Sequence, residues 1–163
     1  MNYIISFRLI ALAWIFALCC SCSEGEQPGY FMTFLHDGAE VAYRDPTTLS
    51  AVFTLADGQY IGVVTGSSSA SAMVLKVYDD QAISERLYGE FAPVGVVYRG
   101  SLIAYESGGK TYTQGALVPD IRIRVTELTN EYVRGAFAGT LKTEGQPDIV
   151  ISKGEFFVRR VEL

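Results

Sequence analysis

The sequence predicts an all-β protein, with one antiparallel β-sandwich or partly closed barrel of about 8–10 strands. Runs rich in Val, Ile, Thr, Tyr and Phe recur at short intervals from Tyr30 onward and are separated by Gly, Asp, Asn and Pro. Two of these separators, Asp37-Gly38 and Asp57-Gly58, are pairs that favour tight hairpins. From Ile121 to Thr126, Ile and Val alternate with Arg and Thr, which indicates one dry and one wet face.

The first residues predict an export signal. Arg8 is the one basic side chain of residues 1–18, and the unbroken apolar run Leu9–Leu18 follows it. This run is shorter than the roughly 20 apolar residues of a membrane-spanning helix and has the length of a signal-peptide core. A buried N-terminal helix is the alternative, but a run without a polar face would need protein on every side.

The three cysteines, Cys19, Cys20 and Cys22, directly follow that run. An apolar run, a small residue before a cysteine and a polar, acidic stretch after it resemble a bacterial lipoprotein signal, in which the cysteine becomes the first mature residue and carries acyl chains. Cys22 fits best because Ser21 is small, and cleavage before Cys20 remains the alternative. A zinc cluster would need about four ligands, and His36 is the one histidine of the chain.

These features divide the chain into three parts. Residues 1–21 are the predicted lipoprotein signal peptide, residues 22–29 a flexible acidic tether, and residues 30–163 an all-β domain. The domain contains no cysteine, so its stability must come from a hydrophobic core. A domain of this length buries about two thirds of its unfolded surface, which is enough for a single core.

The strands can be assigned in order along the domain. The arms of the two Asp-Gly hairpins come first, and SAMVLKVYD, VGVVYRG and SLIAYES follow, the last of them ended by Gly108-Gly109. Between them, DDQAISERLYG has helical spacing, with Asp79 or Asp80 as cap, Ile83 and Leu87 on one side and Gly89 as stop. We expect a helix of one or two turns there.

The last third predicts a strand over residues 132–141, a loop around Gly145-Gln146-Pro147, and two further strands with a turn at Lys153-Gly154. Within the first of these strands, alternate residues share one face. We expect Phe137 to point inward between two glycines that leave room for its ring, and Phe156, rather than Phe157, to face it. The shared face consists of Val133, Gly135, Phe137, Gly139 and Leu141.

The segments GAFAGTL and IVISKGEFFV resemble the closing hairpin of a family of small uncharacterised lipoproteins of Bacteroidota. The likeness extends back through LIAYES and DIRIRVTEL and covers about half of the chain. It implies a lipidated all-β domain and brings no catalytic residues with it.

The charge balance excludes some partners. Without Arg8, 12 basic residues face 18 acidic ones, a net charge of minus six, and no basic run occurs. An acidic chain without a Lys/Arg cluster argues against nucleic-acid binding and against purely electrostatic membrane attachment.

Residues able to carry chemistry are few. His36 lies beside the Asp37-Gly38 turn, where a solvent-exposed turn residue is expected, and no mature cysteine is available as a nucleophile. The serine run from Gly66 to Ala72 lacks the spacing of a nucleophile elbow, so we expect a flexible loop. Two carboxylates, Asp120 and Glu127, are the remaining acid/base candidates. Asp79-Asp80 and Asp148 do not follow a calcium-loop pattern and are expected to be solvated turns.

We therefore expect no enzyme, no metal and no cofactor, but a lipid-anchored module of the bacterial cell envelope. Its expected partners are the membrane, through N-terminal acyl chains at Cys22, and an envelope protein or a glycan. The outer membrane is the expected site, with periplasmic or surface exposure left open. The alternative is a barrel-type carrier of a small apolar ligand, which would need an interior pocket of about 300 Å³ or more. Ligand-binding residues cannot be assigned, because the tyrosines Tyr78, Tyr88, Tyr98, Tyr105 and Tyr112 suit both strand packing and a stacking platform.

Overall fold

The computed structural model describes residues 29–89, 92–94, 97–113 and 120–162. The predicted signal, Cys22 and the tether up to residue 28 lie outside these described residues. Lipidation at Cys22 therefore stays a prediction.

The described part of the chain forms strands and no helix. In chain order the strands are β1 (Phe31–His36), β2 (Ala39–Tyr43), β3 (Ser50–Ala56), β4 (Gln59–Ser67), β5 (Ser71–Asp79), β6 (Leu87–Tyr88), β7 (Ala92–Val94), β8 (Val97–Ser107), β9 (Lys110–Thr113), β10 (Arg122–Leu128), β11 (Tyr132–Leu141) and β12 (Ile149–Arg159).

The strands form two antiparallel sheets, which confirms the predicted all-β sandwich. The terminal sheet has the order β2-β1-β12-β11-β10-β6, and the middle sheet has the order β3-β4-β5-β8-β7 with β9 also paired to β8. Backbone hydrogen bonds join strands or strand ends of the two sheets. Thr113 and Lys142 exchange bonds of 2.8 and 2.7 Å, Val161 N donates to Ala51 O at 2.8 Å, and Ser101 N donates to Gly89 O at 2.9 Å. The sandwich is thus partly closed by its own backbone.

The core lies between the two sheets and is centred on aromatic rings. Phe34 of β1 is 1% exposed, and its ring centroid lies 5.8 Å from Tyr43, 5.4 Å from Tyr105 and 5.8 Å from Phe137. Tyr105 belongs to the middle sheet and the others to the terminal sheet, so these contacts hold the sheets together. Aromatic pairs at such distances add about 0.5–1.5 kcal/mol each beyond the area that they bury.

The predicted hairpins are confirmed by their backbone geometry. Asp37 and Gly38 have φ of 49° and 87°, and Asp57 and Gly58 have φ of 52° and 77°. Two consecutive positive φ values are what a two-residue hairpin turn requires, and they favour Asp or Asn followed by Gly.

The predicted inward face of β11 is also confirmed. Its glycines, however, make room for side chains other than Phe137, for which they were expected to leave space. A Cβ on Gly135 would lie 2.4 Å from the Phe156 ring, and one on Gly139 would lie 2.7 Å from Ile121. The position that makes room for Phe137 is Gly154 on β12, where a Cβ would lie 2.7 Å from the ring. Each glycine thus admits a core side chain from the adjacent strand.

Two sequence-based predictions about local structure are wrong. β12 runs without interruption through Lys153, which has a φ of 49° and lies where the pairing with β11 shifts register, so this position is a bulge and not a turn. The segment from Asp79 to Gly89 is not helical. Asp79 forms ion pairs instead of a helix cap, and Leu87-Tyr88 pairs with β10 as a strand.

Candidate functional site

An open groove of about 250 Å³ lies at one end of the sandwich, where residues from both sheets meet the segment between β5 and β6. We call it the end groove. Its walls combine aliphatic and aromatic side chains with polar groups and one cationic side chain. The lining residues are Phe53, Thr54, Leu55, Tyr60, Ala82, Ile83, Leu128 and Arg160.

The hairpin of β3 and β4 builds one wall. Its Asp57-Gly58 turn sets a register that places Leu55 opposite Tyr60 and Phe53 opposite Gly62. Gly62 has no side chain, and a Cβ there would lie 2.7 Å from the Phe53 ring. Phe53 can therefore lie over its partner strand, while Leu55 at the rim is 57% exposed.

Arg160 forms the opposite wall and is held in place from several sides. Its guanidinium donates to Thr129 O at 3.0 Å and lies 5.5 Å from the centroid of the Phe53 ring. Its backbone N–H donates to Glu131 O at 2.8 Å. Among the described residues no carboxylate lies within 4 Å of this guanidinium. Since arginine has five N–H donors, several remain for a ligand.

An ion-pair cluster around the buried Asp79 supports the third wall. Asp79, at the end of β5, is fully buried and contacts the guanidinium of Arg86 as well as Arg99, whose Nε lies 3.6 Å away. Arg99 also contacts Asp80, and this hydrogen bond lowers the pKa of the Asp80 carboxyl. The expectation of solvated turn residues at both aspartates is therefore wrong for Asp79.

Tyr88 and Ser101 complete the support of this segment. The Tyr88 hydroxyl donates to Ser84 O at 3.1 Å and accepts from Ser84 N at 2.9 Å, and Arg86 lies 4.9 Å above the Tyr88 ring. The buried Ser101 hydroxyl donates to Tyr88 O and Gly89 O. These contacts position Ile83 beside the groove, and Ile83 packs against the core.

The structure does not bring the predicted acid/base candidates together. Asp120 accepts hydrogen bonds from Thr140 N and Oγ1, whereas Glu127 accepts one from the Tyr132 hydroxyl. They lie at opposite ends of β10, and seven residues of extended strand span roughly 23 Å. Carboxylate pairs in glycosidases lie within about 10 Å of each other. Asp120 and Glu127 thus have the contacts of separate structural residues.

The other residues considered in the sequence are dispersed. His36 ends β1 and is 28% exposed, with its ring 5.3 Å from Tyr105, so it is more buried than a free turn residue. Asp148 pairs with Lys142 at 3.2 Å. The serine run is the tight connection between β4 and β5 and not a long loop, because Ser68 N donates to Ser71 O at 2.8 Å.

The tyrosines do not form a shared platform. Tyr88 and Tyr105 are each 2% exposed, whereas Tyr98 is 46% exposed. Tyr78 and Tyr112 are half-buried, and Tyr112 packs near Tyr105 with ring centroids 6.4 Å apart. Strand packing therefore accounts for most of them.

In the part of the chain that the structure describes, no three His, Cys, Asp or Glu side chains are grouped to hold a metal ion. The same part contains no helix long and apolar enough to span a membrane.

Sequence reasoning missed the end groove. Arg160 and Phe53 are 107 positions apart in the printed sequence and no motif connects them. One local signal could have indicated this surface. Leu55 stands two residues before the Asp57-Gly58 turn, a position where an exposed residue is expected, so a leucine there indicates an exposed apolar side chain. No protein-family model, curated protein or solved structure matches this chain.

Proposed function

We propose that this chain is a lipid-anchored lipoprotein of the bacterial cell envelope whose β-sandwich is a non-catalytic binding module. The signal-like run before Cys22 and the resemblance of the closing hairpin to a Bacteroidota lipoprotein family support the anchor. The binding role rests on the end groove, where apolar walls surround a fixed guanidinium that has no carboxylate partner among the described residues.

The groove chemistry favours a segment of an envelope protein as ligand. Leu55, Ile83 and Leu128 offer apolar contact, and Arg160 offers charged hydrogen-bond donors. A sugar ring stacks best on a free aromatic face, and Arg160 already covers Phe53, which leaves Tyr60 as the other ring of the groove. An apolar side chain with a neighbouring carboxylate fits these walls best.

The filled interior favours this proposal over the carrier of a small apolar ligand. The space between the described strands is occupied by side chains that are nearly or completely buried, among them Phe34, Tyr43, Tyr105 and Phe156. The end groove, at about 250 Å³, opens to solvent, whereas a carrier would enclose its ligand.

The anchor is tested at the mature N-terminus. Mass spectrometry of the processed chain should find an acylated Cys22, and Cys22→Ala should release the protein from membranes, because stable attachment takes two or more acyl chains. Cleavage elsewhere without acylation would refute the anchor.

The groove is tested by photo-crosslinking in the envelope of the producing cells. A photo-reactive residue at Leu55 should yield a discrete adduct with one envelope protein, and Arg160→Gln should abolish that adduct. Val150, which is 50% exposed on the terminal sheet, is the matched control position and should give none. Equal adducts at both positions, or an adduct at Leu55 that survives Arg160→Gln, would refute the groove as the binding site.

A further inference from the structure

Four arginines that are dispersed in the sequence meet on the outer side of the terminal sheet. Arg122 and Arg124 lie on β10, Arg134 on β11 and Arg159 on β12, and all four are exposed. We call this surface the arginine face. The sequence predicted no basic cluster because these residues form no run. The neighbouring antiparallel strands bring them onto one surface of an otherwise acidic chain.

The arginine face carries more positive than negative charge, with four arginines and two glutamates, Glu127 and Glu155. None of its four guanidinium groups lies within 4 Å of a carboxylate of the described residues. Two carboxylates lie on the same side. Glu127 is the cross-strand partner of Arg134 and accepts a hydrogen bond from the Tyr132 hydroxyl. Glu155 is paired with Ala136, and Arg124 is paired with Ala136 from the other strand. Arg124 and Glu155 are therefore about 10 Å apart, two strand spacings. These cations are available to an external anion.

Aromatic rings border the arginine face where the chain joins the domain. Phe157 is 8% exposed, with ring centroids 5.2 Å from Tyr30, 6.4 Å from Phe31 and 5.0 Å from Tyr132. The Arg134 guanidinium lies 4.8 Å above the Phe157 ring. Tyrosine rings with arginine beside them are typical of the boundary between water and lipid headgroups.

We propose that the arginine face lies against the phosphate groups of the anionic membrane that holds the predicted acyl anchor. This inference rests on the proposed function, because the anchor determines which surface is close. From Cys22 to Tyr30 the chain can extend roughly 27 Å at most. Since Tyr30 borders the arginine face, the anchor holds this face nearer to the headgroups than the middle sheet.

The physical chemistry of the arrangement fits phosphate. Guanidinium groups bind phosphate oxygens through parallel N–H donors, and Ala136 and Ala138 keep the surface between the arginines low. Each cation near an anionic surface contributes about 1 kcal/mol, an attraction that falls off within about 8 Å at physiological salt. The arginines orient a domain that acyl chains alone would leave free to rotate.

Arginine footprinting on vesicles tests the proposal. The full chain, processed with its own signal, is reconstituted into phosphatidylcholine vesicles with or without phosphatidylglycerol and treated with phenylglyoxal. Modification of Arg122, Arg124, Arg134 and Arg159 is expected to slow about fivefold on the anionic vesicles, which corresponds to about 1 kcal/mol per cation. High salt should remove the protection. Arg99 of the middle sheet is the internal control, and its rate should not change.

A variant pair gives a second measurement. Arg124→Gln with Arg134→Gln should abolish the charge-dependent protection of Arg122 and Arg159. Lys76→Gln with Lys110→Gln removes the same charge from the middle sheet and should leave the protection intact. Equal modification rates on neutral and anionic vesicles would overturn the proposal. So would equal protection by a soluble polyanion in detergent, since that result assigns the face to a polyanionic macromolecule.

The test separates this inference from the proposed function. Mass spectrometry reports on the Cys22 anchor independently. If Cys22 is unmodified, the proposed anchor fails. The phenylglyoxal measurement can then be repeated with chain added to preformed anionic vesicles, and it still tests whether the arginine face contacts the membrane. Slower modification of the four arginines on these vesicles supports the proposal, and unchanged modification rates overturn it.

Discussion

The two sheets bury similar inner faces but present different outer faces. The terminal sheet exposes arginines around a small aromatic cluster. The middle sheet exposes mainly half-buried β-branched and aliphatic residues, including Val63, Val74 and Leu102, with Lys76 as a charge among them. A shallow depression of about 260 Å³ lies there, lined by Val74, Lys76, Leu102, Ile103, Ala104 and Thr113.

This difference explains for which strands the inward-facing residues could be predicted from the sequence. β10 alternates cleanly because one side is core and the other is charged, so its inward residues followed from the sequence. β5 reads SAMVLKVYD, with apolar residues on both sides, which is the pattern of strands covered on both faces. Alternation thus assigns the inner face of a sheet only where the outer face is polar.

The largest expected effect contrasts the inner and outer faces of the terminal sheet. Phe137 is 3% exposed and contacts Phe34 and Phe156. Phe137→Ala should lower the unfolding free energy by about 3–5 kcal/mol, the range for emptying a buried aromatic site. The exposed Arg122→Ala should cost under about 0.5 kcal/mol. Chemical denaturation measures both, and equal midpoints for Phe137→Ala and the parent would contradict the assignment of the core.

The second prediction contrasts the paired charges around the buried Asp79 with the free arginines of the terminal sheet. Arg86→Gln leaves the fully buried Asp79 with Arg99 as its remaining cation and should cost about 3 kcal/mol. Adding Asp79→Asn removes the uncompensated charge, so the double variant should regain part of this loss. Strictly additive losses, measured by denaturant unfolding, would show that the two groups do not act as a pair.

The third prediction concerns a polar link between the sheets. Tyr43 of the terminal sheet is 2% exposed and hydrogen-bonds Ser71 of the middle sheet at 2.9 Å. Burial raises the pKa of Tyr43 from 10.0 to about 12. The folded state therefore keeps this proton to higher pH than the unfolded state does. Stability that is present below pH 10 is lost as pH rises from 10 to about 12, by roughly 2–3 kcal/mol.

Unfolding measured across that range, for parent and Tyr43→Phe, checks this link. The variant should lose less stability on going from pH 10 to about 12 than the parent does. Parallel curves for Tyr43→Phe and the parent would refute the titration of Tyr43.

The fourth prediction has the smallest expected effect and tests whether the aromatic cluster on the outer face of the terminal sheet stabilises the domain. Phe157 is covered by Tyr30, Phe31 and Tyr132, so Phe157→Ala should cost about 2 kcal/mol, less than Phe137→Ala because water can fill the space. Phe157→Leu keeps apolar contact and should lose less than half as much. A thermal unfolding curve unchanged in Phe157→Ala would mean that this cluster does not stabilise the domain.

The sequence was sufficient to predict features that depend on residues close together in the chain. The Asp-Gly hairpins, the inward residues of β11 and the choice of Phe156 over Phe157 for the core all follow from turn chemistry and alternation, and the structure confirms them. It did not predict that Phe157 would also be buried, because that burial comes from rings on β1 and β11 packed on the outer side.

Features that depend on strand order were not predictable in this way. The end groove joins β3 to the residue after β12, and the arginine face joins three strands, so both need the pairing order of the sheets. The helix assigned to residues 79–89 failed for a related reason. Its spacing was suitable, but Asp79 also pairs with Arg99 of β8, a contact distant in sequence that local helix propensity cannot register.

The position of β12 governs when the domain can fold. β12 is the last strand of the described residues, yet it lies between β1 and β11 in the terminal sheet and contributes Phe156 and Val158 to the core. A chain that emerges N-terminus first leaves β1 without this partner until residues 149–159 have followed. Completion of the core therefore waits for residues 149–159, although β1 is among the first parts of the domain to be made.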